Sequence, residues 1–308
     1  VLGGAGFLGS HLAEKLLQKG HAVRVFDRPN ANRDNLAAVA GDVEFLGGDF
    51  SNQTDLELAL DGVKTVYHLI STTIPSTSNE NPVYDVETNL VPTLHLLDAS
   101  LRHKVDRIVF LSSGGTVYGK PETLPIQETH NTEPQVSYGL IKLTIERYLA
   151  LYHRLHKLSS TIIRLANPYG PRQNPDAPQG AAAVFLGKAA QGKPIQIWGD
   201  GGVVRDYIYV DDAVRGVMAA ANGPSSFAAY NIGSGVGVSL KELIEGIEKV
   251  SDRKLDVAYT HGRPFDVPAN VLDISAAQRD LNWKPEVGLE DGLKRTWDWL
   301  RATLGERS

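Results

Sequence analysis

Cysteine is absent from the chain, which excludes disulfides, thiolate metal sites and cysteine nucleophiles and fits a reducing compartment. No apolar run approaches the roughly 18 residues needed to span a bilayer. A basic excess is missing too: the net charge is −5 at pH 7 and the pI is about 6.0. No global positive field therefore favours nucleic acid or an anionic membrane. The histidines nowhere fall at ligand spacing, and no metal is expected. Asn52-Gln53-Thr54 fits a glycosylation triplet but carries little weight with no signal peptide in view, and a cytoplasmic setting is expected. The chain opens at Val1-Leu2, inside a strand-like run and without an initiator Met, so its natural start is expected upstream.

What is present points to an α/β protein. The 308 residues, 42% hydrophobic and 22% charged, suffice for one large domain or a major domain with a smaller lobe. Short apolar runs at 23–26, 43–46, 65–69, 107–111 and 160–165 read as strands. Helical patterns separate them, notably His11 to Lys19, the stretch through Leu94, Leu97 and Leu101, and Val136 to His156. Such alternation predicts a doubly wound parallel sheet with helices on both faces and ligands beyond the carboxyl ends of the strands. After Asn167 the pattern loosens into Pro- and Gly-rich segments, with a further helix at Ala181 to Gln191. Residues 1–167 are expected to form the main domain, and 168–308 mainly a smaller lobe interleaved with its last strands.

Gly3, Gly6 and Gly9 in LGGAGFLG open a helix directly after a strand. They allow a tight turn, close backbone approach to a pyrophosphate, and close helix packing; Phe7 and Leu8 belong to the same cofactor-facing loop, and the helix N-terminus supplies free N–H groups for the phosphates. About twenty residues on, Asp27 can bind both ribose hydroxyls and repel a 2′-phosphate, favouring NAD over NADP, a preference Arg28 blurs a little. Asp49-Phe50 follows the third strand, where an adenine could be held; Asp49 reads equally well as a helix N-cap.

Tyr138 and Lys142 stand one helical turn apart in SYGLIK. An ammonium and a positively charged nicotinamide would both favour the phenolate, making Tyr138 a base for a sugar or alcohol hydroxyl. Together with GGAGFLGSHL, FD, GDF, HLIS, TNLVPT, SSGGTVYG, RLANPYGPRQ, WGDGGVVRDYIYVDD, GRPFDV and LNWKP, this ordered set spans essentially the whole chain. The chain resembles the extended short-chain dehydrogenase/reductases, specifically the NAD-dependent nucleotide-sugar epimerase/dehydratase group typified by UDP-glucose 4-epimerase.

That resemblance implies a Rossmann-like fold with a substrate-binding C-terminal lobe, and bound NAD. It makes Tyr138 the catalytic base and Lys142 its partner, also touching the nicotinamide ribose. Leu69 in HLIS, Asn89 and Ser112 would lie on the cofactor side. Asn167, Arg205, Arg263 and Asp266 would meet the sugar nucleotide, the arginines holding its diphosphate, unless they pair with neighbouring acids such as Asp206 or Asp266. Trp198 would stack on the base beside a roomy wall at Ala181, Ala182 and Ala183. A homodimer through helices near 85–102 and 137–156 is implied as well. Pro92 stands where the family commonly has glycine, and Asp211-Asp212 reads as an N-cap rather than a metal pair.

In the serine-rich family pattern Gly114 occupies the place of the helper hydroxyl, so Ser113, or failing it Thr116, must supply one. Gly115 and Thr116 replace the Asp-Glu pair that the resemblance associates with dehydratases, and Thr116 replaces the glutamate of the decarboxylases. Epimerisation at C4 of a nucleotide-diphosphate sugar, a UDP-hexose or its N-acetyl analogue, is therefore expected. Another oxidoreductase of the fold, or a non-catalytic NAD-binding relative, stands as the alternative.

Overall fold

A computed structural model describes residues 1–224, 228–262 and 267–305. Its first half runs α1 (Phe7–Gln18), β1 (Val23–Asp27), β2 (Val43–Gly47), α2 (Gln53–Leu60) and β3 (Thr65–His68). Next come α3 (Pro82–Asp85), α4 (Val91–Arg102), β4 (Arg107–Ser113), α5 (Ser137–His156) and β5 (Ser159–Leu165). The strands read from sequence match these to within two residues at either end. Helix α1 starts earlier than its apolar period suggested, because the glycine loop passes straight into it.

All pairings in the main sheet are parallel, in the order β2, β1, Leu2, β3, β4, β5, β9, where β9 is Ala228–Ile232. Leu2 bridges both Phe26 and His68, so the strand order reverses there, and the crevice beyond that reversal is where such sheets take ligands. Both faces are dry. Val25, Tyr67, Val109 and Ile163 pack towards α1 and its neighbours, while Phe26, Val66, Phe110 and Ile162 pack towards α2, α4 and α5. Alternate residues buried on opposite faces are what a parallel sheet covered by helices requires.

The later elements are β6 (Asn167–Tyr169), α6 (Ala181–Gln191), β7 (Ile195–Trp198), β8 (Val204–Tyr209) and α7 (Val210–Ala221). After β9 follow β10 (Gly237–Ser239), α8 (Leu240–Ser251), β11 (Val257–Thr260), β12 (Ala269–Asn270), α9 (Ser275–Leu281) and α10 (Leu289–Gly305). A small second sheet orders β10, β8, β12 with β6 also on β8, and β7 pairs with β11. Because β6 begins two residues past β5, Asn167 lies where the large sheet hands over to the small one.

Two local readings are corrected. Asp211 and Asp212 are not caps: α7 begins at Val210, with Tyr209 at its N-cap. Their charges instead lie in the first turn, where the helix dipole favours them. Buried Asp212 also accepts the N–H groups of Glu286 and Val287, at 2.9 and 2.8 Å, which docks the segment before α10. Likewise Asn52, not Asp49, caps α2, accepting from the N–H of Thr54 at 2.8 Å and of Asp55 at 3.3 Å.

Pro92 now has a local explanation. Val86–Leu90 forms a π-helical turn just before it, and a residue without an N–H suits a helix whose ladder has already been widened.

Candidate active site

Gly3 holds φ +80, and a Cβ on it would press within 3.3 Å of the Ile70 backbone N. The Leu69 N–H donates to Leu2 O at 3.1 Å, so the loops after Leu2 and β3 cross closely. A Cβ on Gly9 would collide with Gly3 O, whereas one on Gly6 would meet nothing nearer than Gly3 O at 3.4 Å. Gly6 is also the N-cap of α1 and offers no side-chain cap. The helix therefore opens on backbone N–H groups beside free space, a seat for a pyrophosphate. Asp27 is aimed by the N–H of Ala5 (3.0 Å) and of Arg28 (2.9 Å). These residues fit a dinucleotide. Asp49 is exposed and accepts the Ser51 N–H at 2.8 Å; the Phe50 side chain is buried in the core against His68, leaving only its backbone to meet an adenine.

Tyr138 and Lys142 begin α5. The first amides of that helix are satisfied from outside it: Ser137 N–H by Asn79 Oδ1 at 2.8 Å and Tyr138 N–H by Ser78 Oγ at 3.1 Å. Lys142 Nζ donates to Leu111 O at 2.9 Å and lies 5.6 Å from the centre of the Tyr138 ring. Burial pushes the Tyr138 phenol up to about 12; the Ser71 hydroxyl beside it pulls the other way and Asp85 adds to the rise. Burial also lowers Lys142 to about 8, opposed by the carboxylates of Asp85 and Glu146. Among the groups of the chain, burial has the largest effect on this phenol.

Sequence reasoning missed Asp85. It is buried, and it accepts from Thr73 Oγ1 (2.8 Å), Asn89 Nδ2 (3.0 Å) and Ser137 Oγ (2.7 Å). Asn89 also accepts the Thr72 N–H at 2.9 Å. Its amide thus ties the loop after β3 to the π turn. The four-residue spacing of Asp85 and Asn89 was the available signal.

Ser112 is a correction. Its hydroxyl donates to Glu146 Oε1 at 2.5 Å, within a buried network where Glu146 pairs with Arg164 at 2.7 Å. Ser112 therefore faces α5 and the core, not the cofactor. Ser113, the next residue, falls on the other side of the pleat and is half-buried. Thr116 Oγ1 is buried with no partner among the described residues. The side chain packs against α5, where a Cβ on Gly139 would lie 3.1 Å from Thr116 Cβ.

Asn167, Trp198 and Arg205 line one cavity of about 220 Å³, with Ala181, Ala182 and Tyr207. Asn167 Nδ2 donates to Asp206 O at 3.0 Å, and Arg205 Nη1 to Val267 O at 2.7 Å. Ala183 does not line this cavity and is buried in α6. Asp206 is not a partner for Arg205: its carboxylate accepts from Ser234 N–H and Oγ, both at 2.7 Å, and from Gly235 and Leu272 N–H groups. Arg263 and Asp266 lie outside the described residues. Among those described, no group of acidic or histidine side chains could hold a metal ion, and no helix is long and apolar enough to cross a membrane.

His68, behind Lys142, is buried between Phe50 and Phe110, with Nε2 3.0 Å from Thr93 Oγ1. Burial, and then the Lys142 charge, lower it from 6.5 to about 3. As pH falls the unfolded chain therefore binds this proton first, so stability should decline from about pH 6.5 towards pH 3. Urea denaturation at several pH values should show that slope, and His68→Asn should flatten it; an unchanged slope would contradict the assignment.

A switch-point crevice, a glycine-opened helix and a tyrosine–lysine pair define a dinucleotide-dependent enzyme that works on a hydroxyl-bearing substrate. The sequence matches the NAD dependent epimerase/dehydratase family over residues 1–233, and the chain belongs to that family. It is 33% identical over 306 residues to a UDP-glucose 4-epimerase of Mycolicibacterium smegmatis, covering 98% of this chain and 97% of that one. A Thermotoga maritima UDP-glucose 4-epimerase solved with UDP-glucose superposes at TM-score 0.93 and 34% identity, over 98% of both chains. The Thermus thermophilus UDP-glucose 4-epimerase solved with NAD gives 0.91 and 33%, over 97% of both.

Proposed function

We propose that the protein is an NAD-dependent epimerase inverting C4 of a nucleotide-diphosphate hexose, of the UDP-glucose/UDP-galactose type or the N-acetyl analogues. One observation carries this reading. Lys142, one turn after Tyr138, is tied to β4 through Leu111 O, and β4 lies in the sheet between Leu2, which leads into the glycine loop, and β5, which leads to Asn167 in the cavity with Trp198 and Arg205.

Gly3, Gly6, Phe7, Leu8 and Gly9 would seat the pyrophosphate of NAD, Asp27 with Arg28 beside it the adenosine ribose, and Asp49 with the Phe50 backbone the adenine. Leu69 and Lys142 would meet the nicotinamide half, with Asn89 holding the loop in place. NAD, when bound, supplies an acceptor for the C4 hydride and gives it back. Tyr138 Oη takes the proton of the 4-hydroxyl and later returns it to the same oxygen. Lys142 keeps positive charge beside that phenol, and Ser113 donates a hydrogen bond to the sugar oxygen as its charge develops. Arg205, with Arg263, would grip the diphosphate, so that the 4-keto sugar could turn over while tethered and offer its other face, which would invert C4. Neither Gly115 nor the buried Thr116 hydroxyl offers the acid and base an elimination needs. Purified protein with NAD should interconvert UDP-glucose and UDP-galactose, or their N-acetyl forms, on chromatography. No conversion of any UDP-hexose while nucleotide still binds contradicts the proposal.

Ser113→Ala should lower kcat by roughly 10²-fold, the scale for removing one donor to a developing oxyanion, whereas Thr116→Val should leave turnover near wild type. The reverse pattern would assign the helper role to Thr116.

The protein acts as a cytoplasmic homodimer, joined through the helices at 85–102 and 137–156. Val86, Val91 and Leu140 leave large apolar surface exposed on these helices, and Val83 and Tyr84 add to it from the adjoining α3, a surface that a partner copy would cover. Leu140→Glu should shift the protein from dimer to monomer in sedimentation; an unchanged species overturns this interface.

A further inference from the structure

We infer that Leu272 is a positioning residue that confines the helper hydroxyl to Ser113, an assignment resting on the epimerase reading above. The argument is steric. A Cβ placed on Gly114 would lie 2.6 Å from Leu272 Cδ1, and 3.1 Å from both Leu272 Cδ2 and Arg164 O. Leu272 is fully buried and has little freedom to give way. Its N–H donates to Asp206 at 3.3 Å. On either side of it, Ile126 N–H donates to Val271 O at 2.8 Å, and Asp273 N–H to Ile126 O at 2.9 Å. Gly114 itself is held at both ends: its N–H donates to Leu165 O at 2.8 Å, and its carbonyl accepts from Asn270 Nδ2 at 3.1 Å.

A leucine from the far end of the chain thus fills the space that a side chain at 114 would need. The hydroxyl has to come from a neighbour. Thr116 packs against α5, while Ser113 is only half-buried and a Cβ on Gly115 would come no closer to its Oγ than 3.9 Å. Gly114 and Leu272 therefore form a matched pair: the one has no side chain because the other occupies its place. Restoring serine at 114 should damage this enzyme by pushing the loop and Ser113 out of register, unless Leu272 is trimmed as well.

The test is a double-mutant cycle on the purified chain with NAD and the UDP-hexose it converts. Gly114→Ser should lower kcat by about tenfold or more, as a misplaced reacting group does, with KM within about twofold because the diphosphate grip is untouched. Adding Leu272→Ala should then raise kcat again and raise the melting temperature, although Leu272→Ala alone lowers it. Wild-type kcat in Gly114→Ser, or a double variant no better than the single, overturns the inference. Should Gly114→Ser not fold, Gly114→Ala replaces it in the same cycle, read by thermal melting: non-additive effects support the pair and additive ones overturn it. The melting arm needs no substrate, so a wild type that converts no UDP-hexose would sink the epimerase reading and leave the pairing still under test.

Discussion

Tyr138→Phe should remove sugar epimerisation almost completely, with kcat falling roughly 10³-fold, within the range for loss of a general base. NAD content should not change, because the glycine loop and Asp27 lie on other elements. The size of the effect follows from the environment of the phenol. With the hydroxyl at about 12, ionising it at neutral pH costs on the order of 7 kcal/mol. The Ser71 hydroxyl assists ionisation and Asp85 opposes it. The positive charge of a bound oxidised dinucleotide would lower that cost, and proton loss from the sugar would then be coupled to cofactor occupancy. Lys142, lowered to about 8, remains cationic at neutral pH and contributes in the same direction. Turnover should accordingly rise with pH above neutrality, until Lys142 loses its proton. Steady-state kinetics of the variant beside its NAD content check the first claim; retained turnover in Tyr138→Phe would require another base.

Glu146→Leu should destabilise the fold by about 3–5 kcal/mol, the scale for stripping one partner from a buried ion pair. Glu146 and Arg164 side chains are only 4% and 7% exposed. The carboxylate takes Arg164 Nη2 at 2.7 Å and the Ser112 hydroxyl at 2.5 Å. Arg164 also reaches Tyr118 Oη at 3.0 Å and Glu128 O at 3.1 Å. Removing the carboxylate leaves a guanidinium in the core with two neutral acceptors, directly beneath the loop that presents Ser113. Replacing both partners by apolar residues should recover part of the loss. Urea denaturation decides it: a change below about 1 kcal/mol would show that water or a shifted side chain takes over the charge.

Much of the site could be read from sequence where the signal was local. Tyr138, Lys142 and Glu146 repeat every four residues along one helix face, although only the first two were read as a unit. The glycine loop and Asp27 are spaced by the length of one helix and one strand. Asn167, Trp198 and Arg205, read from three separate motifs, line one cavity.

What escaped depends on contacts across the chain. Asp85 reaches Ser137 from a separate helix, and Leu272 meets Gly114 from beyond the second sheet. The direction of Ser112 is fixed by strand register: one residue earlier or later it would lie on the opposite face of the sheet. The burial that raises the Tyr138 phenol was not visible in the sequence, where charge partners can be read and depth cannot.

The most direct measurement of the central claim follows the C4 hydrogen. UDP-galactose carrying deuterium at C4, incubated with the protein and NAD, should give UDP-glucose with the deuterium still at C4, and the reverse reaction should behave alike. Retention shows that the hydride leaves and returns within one closed site while the configuration inverts. Product that has lost the label to water, or label recovered on free reduced nucleotide, would contradict the account.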